Sequence, residues 1–90
     1  MYVSIRSENK PGLYITANED LSVTLEQESV ISEELELRQT FHTVMGLDDE
    51  SGISFESAAY PGYYLAIVDD VLTLTGGSGN ATFYVTDVEY

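Results

Sequence analysis

Apolar and polar residues alternate in short runs along most of this chain. In residues 3–7, "VSIRS", the alternation puts Val3, Ile5 and Ser7 on one side of an extended strand. Similar segments follow at residues 13–16, 21–25 and 40–45, and again at 53–57, 63–67, 71–75 and 82–88. Between the first two of each group lies a Pro-Gly pair, Pro11-Gly12 or Pro61-Gly62. Proline presets φ and glycine takes φ > 0, so each pair predicts a tight turn. Many short strands separated by turn signals predict an all-β barrel or sandwich. Residues 28–37, "ESVISEELEL", fit no single period and read as a loop with room for one helical turn. Ser32 fails as the start of a capping box, because Leu35 stands where an acid or amide is needed. "GGSGN", residues 76–80, reads as a flexible hairpin connection.

The two groups of strands are a repeat. "VSIRSENKPGLYITA" from Val3 aligns with "ISFESAAYPGYYLAI" from Ile53, an offset of 50 (53 − 3). Ser4/Ser54, Ser7/Ser57, Pro11/Pro61, Gly12/Gly62 and Tyr14/Tyr64 are identical, and Val3/Ile53, Ile5/Phe55 and Ile15/Leu65 stay apolar. Further on, "QTFHTV" matches "ATFYVT" at an offset of 42 (83 − 41), with Thr40/Thr82 and Phe41/Phe83 identical. The identities fall at turn and core positions together. We therefore divide a single domain, residues 1–90, into repeat one (2–51) and repeat two (52–90), each of four strands.

Charge narrows the function. Sixteen acidic residues face three basic ones, Arg6, Lys10 and Arg38, for a formal net charge of -13. Such a surface repels phosphate backbones and anionic lipid, so neither nucleic acid nor membrane is an expected partner. A neutral glycan or a basic protein suits it better. The chain has no cysteine, which removes disulfides, thiolate metal sites and cysteine nucleophiles. The first ten residues, "MYVSIRSENK", contain no apolar signal core.

The combination of "SIRSENKPGLYI", "SFESAAYPGYYL" and the joining stretch "TFHTVMGLDDESGISFES" resembles the arabinofuranose-binding AbfB domain, carbohydrate-binding module family 42. In that family a serine-rich strand precedes Asn-Tyr-Pro-Gly-Tyr-Tyr-Leu-Arg-His, and Asp-Ala-Thr-Phe and a Gly-Leu joint follow. The resemblance covers nearly the whole chain except residues 26–37 and the last few. It implies a β-trefoil, normally three four-stranded repeats, of which this chain holds two. It also implies secretion if a leader has been removed. Because a partial trefoil leaves sheet edges open, a homo-oligomer is expected. The family's sugar pockets, as the resemblance implies, use the His after Leu-Arg and the Asp before Ala-Thr-Phe. Here Thr16-Ala17 and Ala66-Ile67 stand at the Arg-His positions, and Arg38 and Asn80 at the Asp positions.

Three residues are the candidate ligand contacts: Tyr60, Tyr63 and Asn80. A tyrosine ring can stack on the apolar face of a sugar while nearby polar groups bond its hydroxyls. Tyr60 and Tyr63 align with Lys10 and Leu13, so the repeat itself does not require them. Tyr64 aligns with Tyr14 and is assigned to structure. Asn80 occupies the family's Asp position and opens the glycosylation sequon Asn80-Ala81-Thr82, but equally reads as a turn residue. The acids at 19–20, 33–34, 48–50 and 69–70 lack calcium-loop spacing and are read as solvated loops. His42 is the only histidine and is expected to point outward from its strand beside core Phe41. No catalytic carboxylate pair, metal or cofactor is indicated. The expected function is non-catalytic carbohydrate binding with altered or lost arabinofuranose specificity. The alternative is an acidic module that binds a basic protein or inhibits a nucleic-acid enzyme by mimicry.

Overall fold

The computed structural model describes residues 1–27, 32–77 and 81–84. Seven strands and one short helix run in the order β1 (Tyr2–Val3), β2 (Leu13–Ala17), β3 (Val23–Gln27), α1 (Glu33–Arg38), β4 (Phe41–Met45), β5 (Ile53–Ser57), β6 (Tyr64–Val68) and β7 (Val71–Thr75). All pairings are antiparallel. One sheet has the order β1-β4-β5-β6-β7, and β2 and β3 form a separate hairpin. Isolated bridges join the parts: Arg6 to Tyr14, Ser22 to Thr73 and Ile53 to Phe83. The fold is all-β and trefoil-like.

Backbone geometry recurs at the offset of 50. The Ser7 N–H donates to Leu13 O at 2.9 Å, and Ser57 N–H to Tyr63 O at 2.8 Å. Leu13 N–H to Lys10 O and Tyr63 N–H to Tyr60 O are both 3.1 Å and close the two Pro-Gly turns. Gly12 and Gly62 have φ of 88° and 90°, the third position of a type II turn, which side chains other than glycine disfavour. Ser7 and Ser57 each hold the start of the turn, their Oγ atoms accepting the N–H of Lys10 (3.2 Å) and Tyr60 (3.1 Å). Arg6 bridges to Tyr14 as Glu56 pairs with Tyr64.

The core sits where the hairpins meet the large sheet. Ala17, Phe41, Leu65 and Leu74 are buried together, with Val3, Ile5, Ile15, Phe55 and Phe83 packed around them. Phe55 and Phe83 meet with ring centroids 5.7 Å apart in a tilted contact. Among the described residues few side chains are wholly buried, as expected of so short a chain.

Two expectations need correction. Within the segment read as a loop with room for one helical turn, residues 33–38 form the longer helix α1, and Ser32 is its N-cap: its Oγ accepts the Leu35 N–H at 3.2 Å. The reciprocal acid of a capping box is missing, but the cap needs only the serine oxygen. Glu33, Glu34 and Glu36 sit in the first turn, favourably placed against the helix dipole, and Arg38 in the last. The third strand starts at Val23, because Leu21 has φ of 71° in the preceding turn. The expected strand at 82–88 is described only to residue 84, where Phe83 bridges to Ile53.

Candidate functional site

Ligand contacts on a sheet come from side chains that neighbouring strands place side by side. The register pairs Tyr2 with His42, and His42 with Glu56, across β1, β4 and β5. The three side chains therefore form a row on one face. Tyr2 stacks on His42, with ring centroids 4.8 Å apart and planes 25° from parallel. His42 Nδ1 lies 3.8 Å from Glu56 Oε1. Glu56 Oε2 accepts the Gly62 N–H at 2.9 Å, which ties the carboxylate to the second Pro-Gly turn. Tyr2, His42, Glu56 and Pro61 share a cleft with Leu37 and Thr40. His42 is thus half-buried beneath a ring rather than free on the surface. The cleft offers an exposed aromatic face beside a fixed hydrogen-bond acceptor, a combination that suits a polyhydroxylated ring with one apolar side.

The structure separates the sequence candidates. Tyr60 packs against the core, while Tyr63, three residues on, is exposed over 39% of its surface. Asn80 lies outside the described residues. Sequence reasoning missed Tyr2, His42 and Glu56, which stand far apart in the chain. Only the strand register, which two-residue β1 does not advertise, brings them together.

The positions that align with the family's sugar residues tell a different story. In repeat one the Arg38 Nε–H donates to Ala17 O at 3.0 Å, and its Nη2 bonds Asn18 Oδ1. Glu26 Oε2 lies 3.8 Å from that same Nη2. Gln39 is buried; its Nε2 donates to Gln27 O at 2.8 Å and to Thr16 Oγ1 at 3.2 Å. Thr16, also buried, donates in turn to Tyr14 O at 3.0 Å. The three aligned positions and the neighbouring Gln39 thus join in an internally bonded network that ties the β2–β3 hairpin to the end of α1. In repeat two Ala66 is buried and Ile67 is 38% exposed.

The acidic loops are exposed, as expected, and two of them are internally hydrogen-bonded. Asp20 Oδ1 accepts the Ser22 N–H (3.0 Å) and hydroxyl (2.6 Å), and Asp49 Oδ1 accepts both groups of Ser51 at 2.9 Å. The Tyr84 hydroxyl donates to Asp49 Oδ2 at 2.6 Å. That bond, followed by those from Ser51, holds the Asp49 carboxyl below the usual aspartate range, and the same carboxylate pushes Tyr84 up. Ser22 likewise lowers Asp20. Asp69 and Asp70 both take positive φ in the two-residue turn between β6 and β7. No cluster of three or more potential metal ligands occurs among the described residues.

The profile of the alpha-L-arabinofuranosidase B (ABFB) domain matches residues 2–87. A GH54 α-L-arabinofuranosidase mutant soaked with 4-nitrophenyl α-L-arabinofuranoside is similar over 92% of this chain, with a TM-score of 0.81 and 25% identity. An arabinofuranosidase complexed with arabinofuranosyl-α-1,2-xylobiose is similar over the same share, with a TM-score of 0.82 and 26% identity. In both cases the match spans 19% of the other chain. No curated protein matches the sequence.

Proposed function

The chain belongs to the AbfB domain family, and we propose that it is a non-catalytic module that binds neutral glycans bearing arabinofuranose or a similar small sugar. The observation that carries this reading is the family match over residues 2–87, supported by the likeness to arabinofuranosidase structures along 92% of the chain. We assign the ligand face to Tyr2, His42 and Glu56, with Tyr63 of the adjoining turn as a second exposed ring. Tyr60 supports that turn from the core side. The contact set differs from that implied by the family motif, because Arg38, Gln39, Thr16 and Ala17 spend their hydrogen bonds on one another in repeat one. A sugar there would have to displace buried bonds, at about 1–3 kcal/mol for each group left unpaired. In a larger secreted enzyme such a module would raise the local concentration of its catalytic partner on the polysaccharide.

Electrophoresis through gels containing arabinoxylan or arabinan tests the reading. Retardation that Tyr2→Ala and Tyr63→Ala each reduce is the expected result. Loss of one stacking ring should weaken binding by about 1 kcal/mol, roughly fivefold in Kd. Mobility unchanged by every plant glycan would overturn it, and salt-sensitive capture by a basic protein in its place would favour the acidic-module alternative.

A further inference from the structure

His42 is the only histidine in the chain, and histidine is the side chain whose charge changes in the physiological pH range. Strand register holds it between Tyr2 of β1 and Glu56 of β5. Among the described residues that line this cleft, the groups able to titrate are Tyr2, His42 and Glu56. Helix α1 contributes the uncharged Leu37, and the second Pro-Gly turn contributes Pro61. Glu36 of α1 lines an adjoining cleft that shares Tyr2 and Thr40.

The two oxygens of the Glu56 carboxylate are differently placed. Oε2 accepts the Gly62 N–H at 2.9 Å and is fixed by the turn that carries Tyr63. Oε1 faces His42 Nδ1 across 3.8 Å, too far for a hydrogen bond. With a neutral imidazole, Oε1 keeps its acceptor capacity for a sugar hydroxyl. With an imidazolium, Nδ1 carries a proton towards a carboxylate, and a charge-assisted bond closes the gap to about 2.7–2.9 Å. Because the turn anchors Oε2, the ring makes the approach. The charged ring also gains from the face of Tyr2, on which it already stacks at 4.8 Å. A hydroxyl that uses Oε1 then competes with an ion pair. In repeat one Arg6 stands at the position of Glu56, and a guanidinium accepts no N–H, so the arrangement belongs to repeat two.

We propose that the glycan face is gated by a proton: charging His42 engages Glu56 Oε1 and lowers affinity for the sugar. Binding is then strongest with the imidazole neutral and weakens as pH falls. This inference rests on the glycan-binding reading above and adds its regulation. Sugar and proton act on the same carboxylate oxygen, so by linkage each weakens the hold of the other.

Calorimetric titration with an arabinofuranosyl oligosaccharide, from about pH 8 down to about pH 5, is the test. Affinity should fall roughly fivefold across that range, the scale of a half-exposed ion pair. The fall should follow the titration of the His42 ring protons, which NMR reads as a lone histidine signal. His42→Gln and Glu56→Gln, checked for folding by circular dichroism, should each bind with one affinity at every pH. Both remove a sugar contact and bind more weakly than the parent throughout, so the comparison is of slope with pH. Parent binding that stays constant with pH overturns the inference and leaves the glycan reading standing. A slope retained by either folded variant overturns it as well. If neither variant folds, a fall in affinity that departs from the ring-proton titration does the same. Absence of binding at every pH overturns both readings.

Discussion

At the scale of single residues, the bond between Tyr84 and Asp49 couples the end of the described chain to the joint between repeats. Asp49 has a lowered folded-state pKa, so its contribution is present above the ordinary aspartate value, about 3.9, and is lost as pH falls through the lower folded value. Tyr84 has a raised one, so its contribution is present below the ordinary tyrosine value, about 10, and is lost as pH rises through the higher folded value. The bond therefore operates across the whole neutral range. An NMR titration should place the Asp49 midpoint below that of a free aspartate. Tyr84→Phe should move it part of the way back, since the two bonds from Ser51 remain. Gly62 makes a second residue-level prediction. A Cβ built there meets nothing within 4 Å, so Gly62→Ala costs only backbone strain at φ 90°, about 1–2 kcal/mol by chemical denaturation. Phe41 lies at the other extreme: fully buried, its truncation to alanine should cost about 3–5 kcal/mol.

Among the elements, α1 is the one the sequence hides. Its six residues are too few to show a helical period, and its apolar positions, Leu35 and Leu37, do not share a face. What makes the helix legible is the serine before it and the three acids in its first turn. Ser32→Ala should destabilise the protein by about 1 kcal/mol, measured as a shift in the denaturation midpoint. Most strands were legible because Pro-Gly turns mark their ends and alternation marks their faces: β7 falls on the expected residues, 71–75, whereas the first strand, expected over 3–7, is Tyr2–Val3 with a separate bridge at Arg6. Boundaries moved where a turn spent residues that looked strand-like, as Leu21 does. The candidate site was less legible. Tyr63 is exposed as its sequence position suggested, but Tyr60 turns to the core, and Tyr2, His42 and Glu56 meet only through register. Adjacency across strands is a property of pairing, which no local pattern encodes.

For the molecule as a whole, charge and closure set the behaviour. A formal charge of -13 on one small domain means that self-repulsion opposes the compact state. At low micromolar concentration, the melting temperature should rise as ionic strength is raised from about 0.01 M to about 0.15 M and the Debye length shrinks from about 30 Å to about 8 Å. A flat response would show that self-repulsion contributes little to the stability of the fold. The same charge sets up no long-range repulsion against a neutral glycan. In the function proposed above, such a glycan binds on the row Tyr2–His42–Glu56 and the neighbouring turn. The measurement that tests it most directly is an amide chemical-shift titration with an arabinofuranosyl oligosaccharide. Saturable shifts are expected at Tyr2, His42, Glu56 and Tyr63, with Thr16, Ala17, Arg38 and Gln39 unmoved. Shifts confined to those four hairpin and helix residues, or none at saturating sugar, would contradict it.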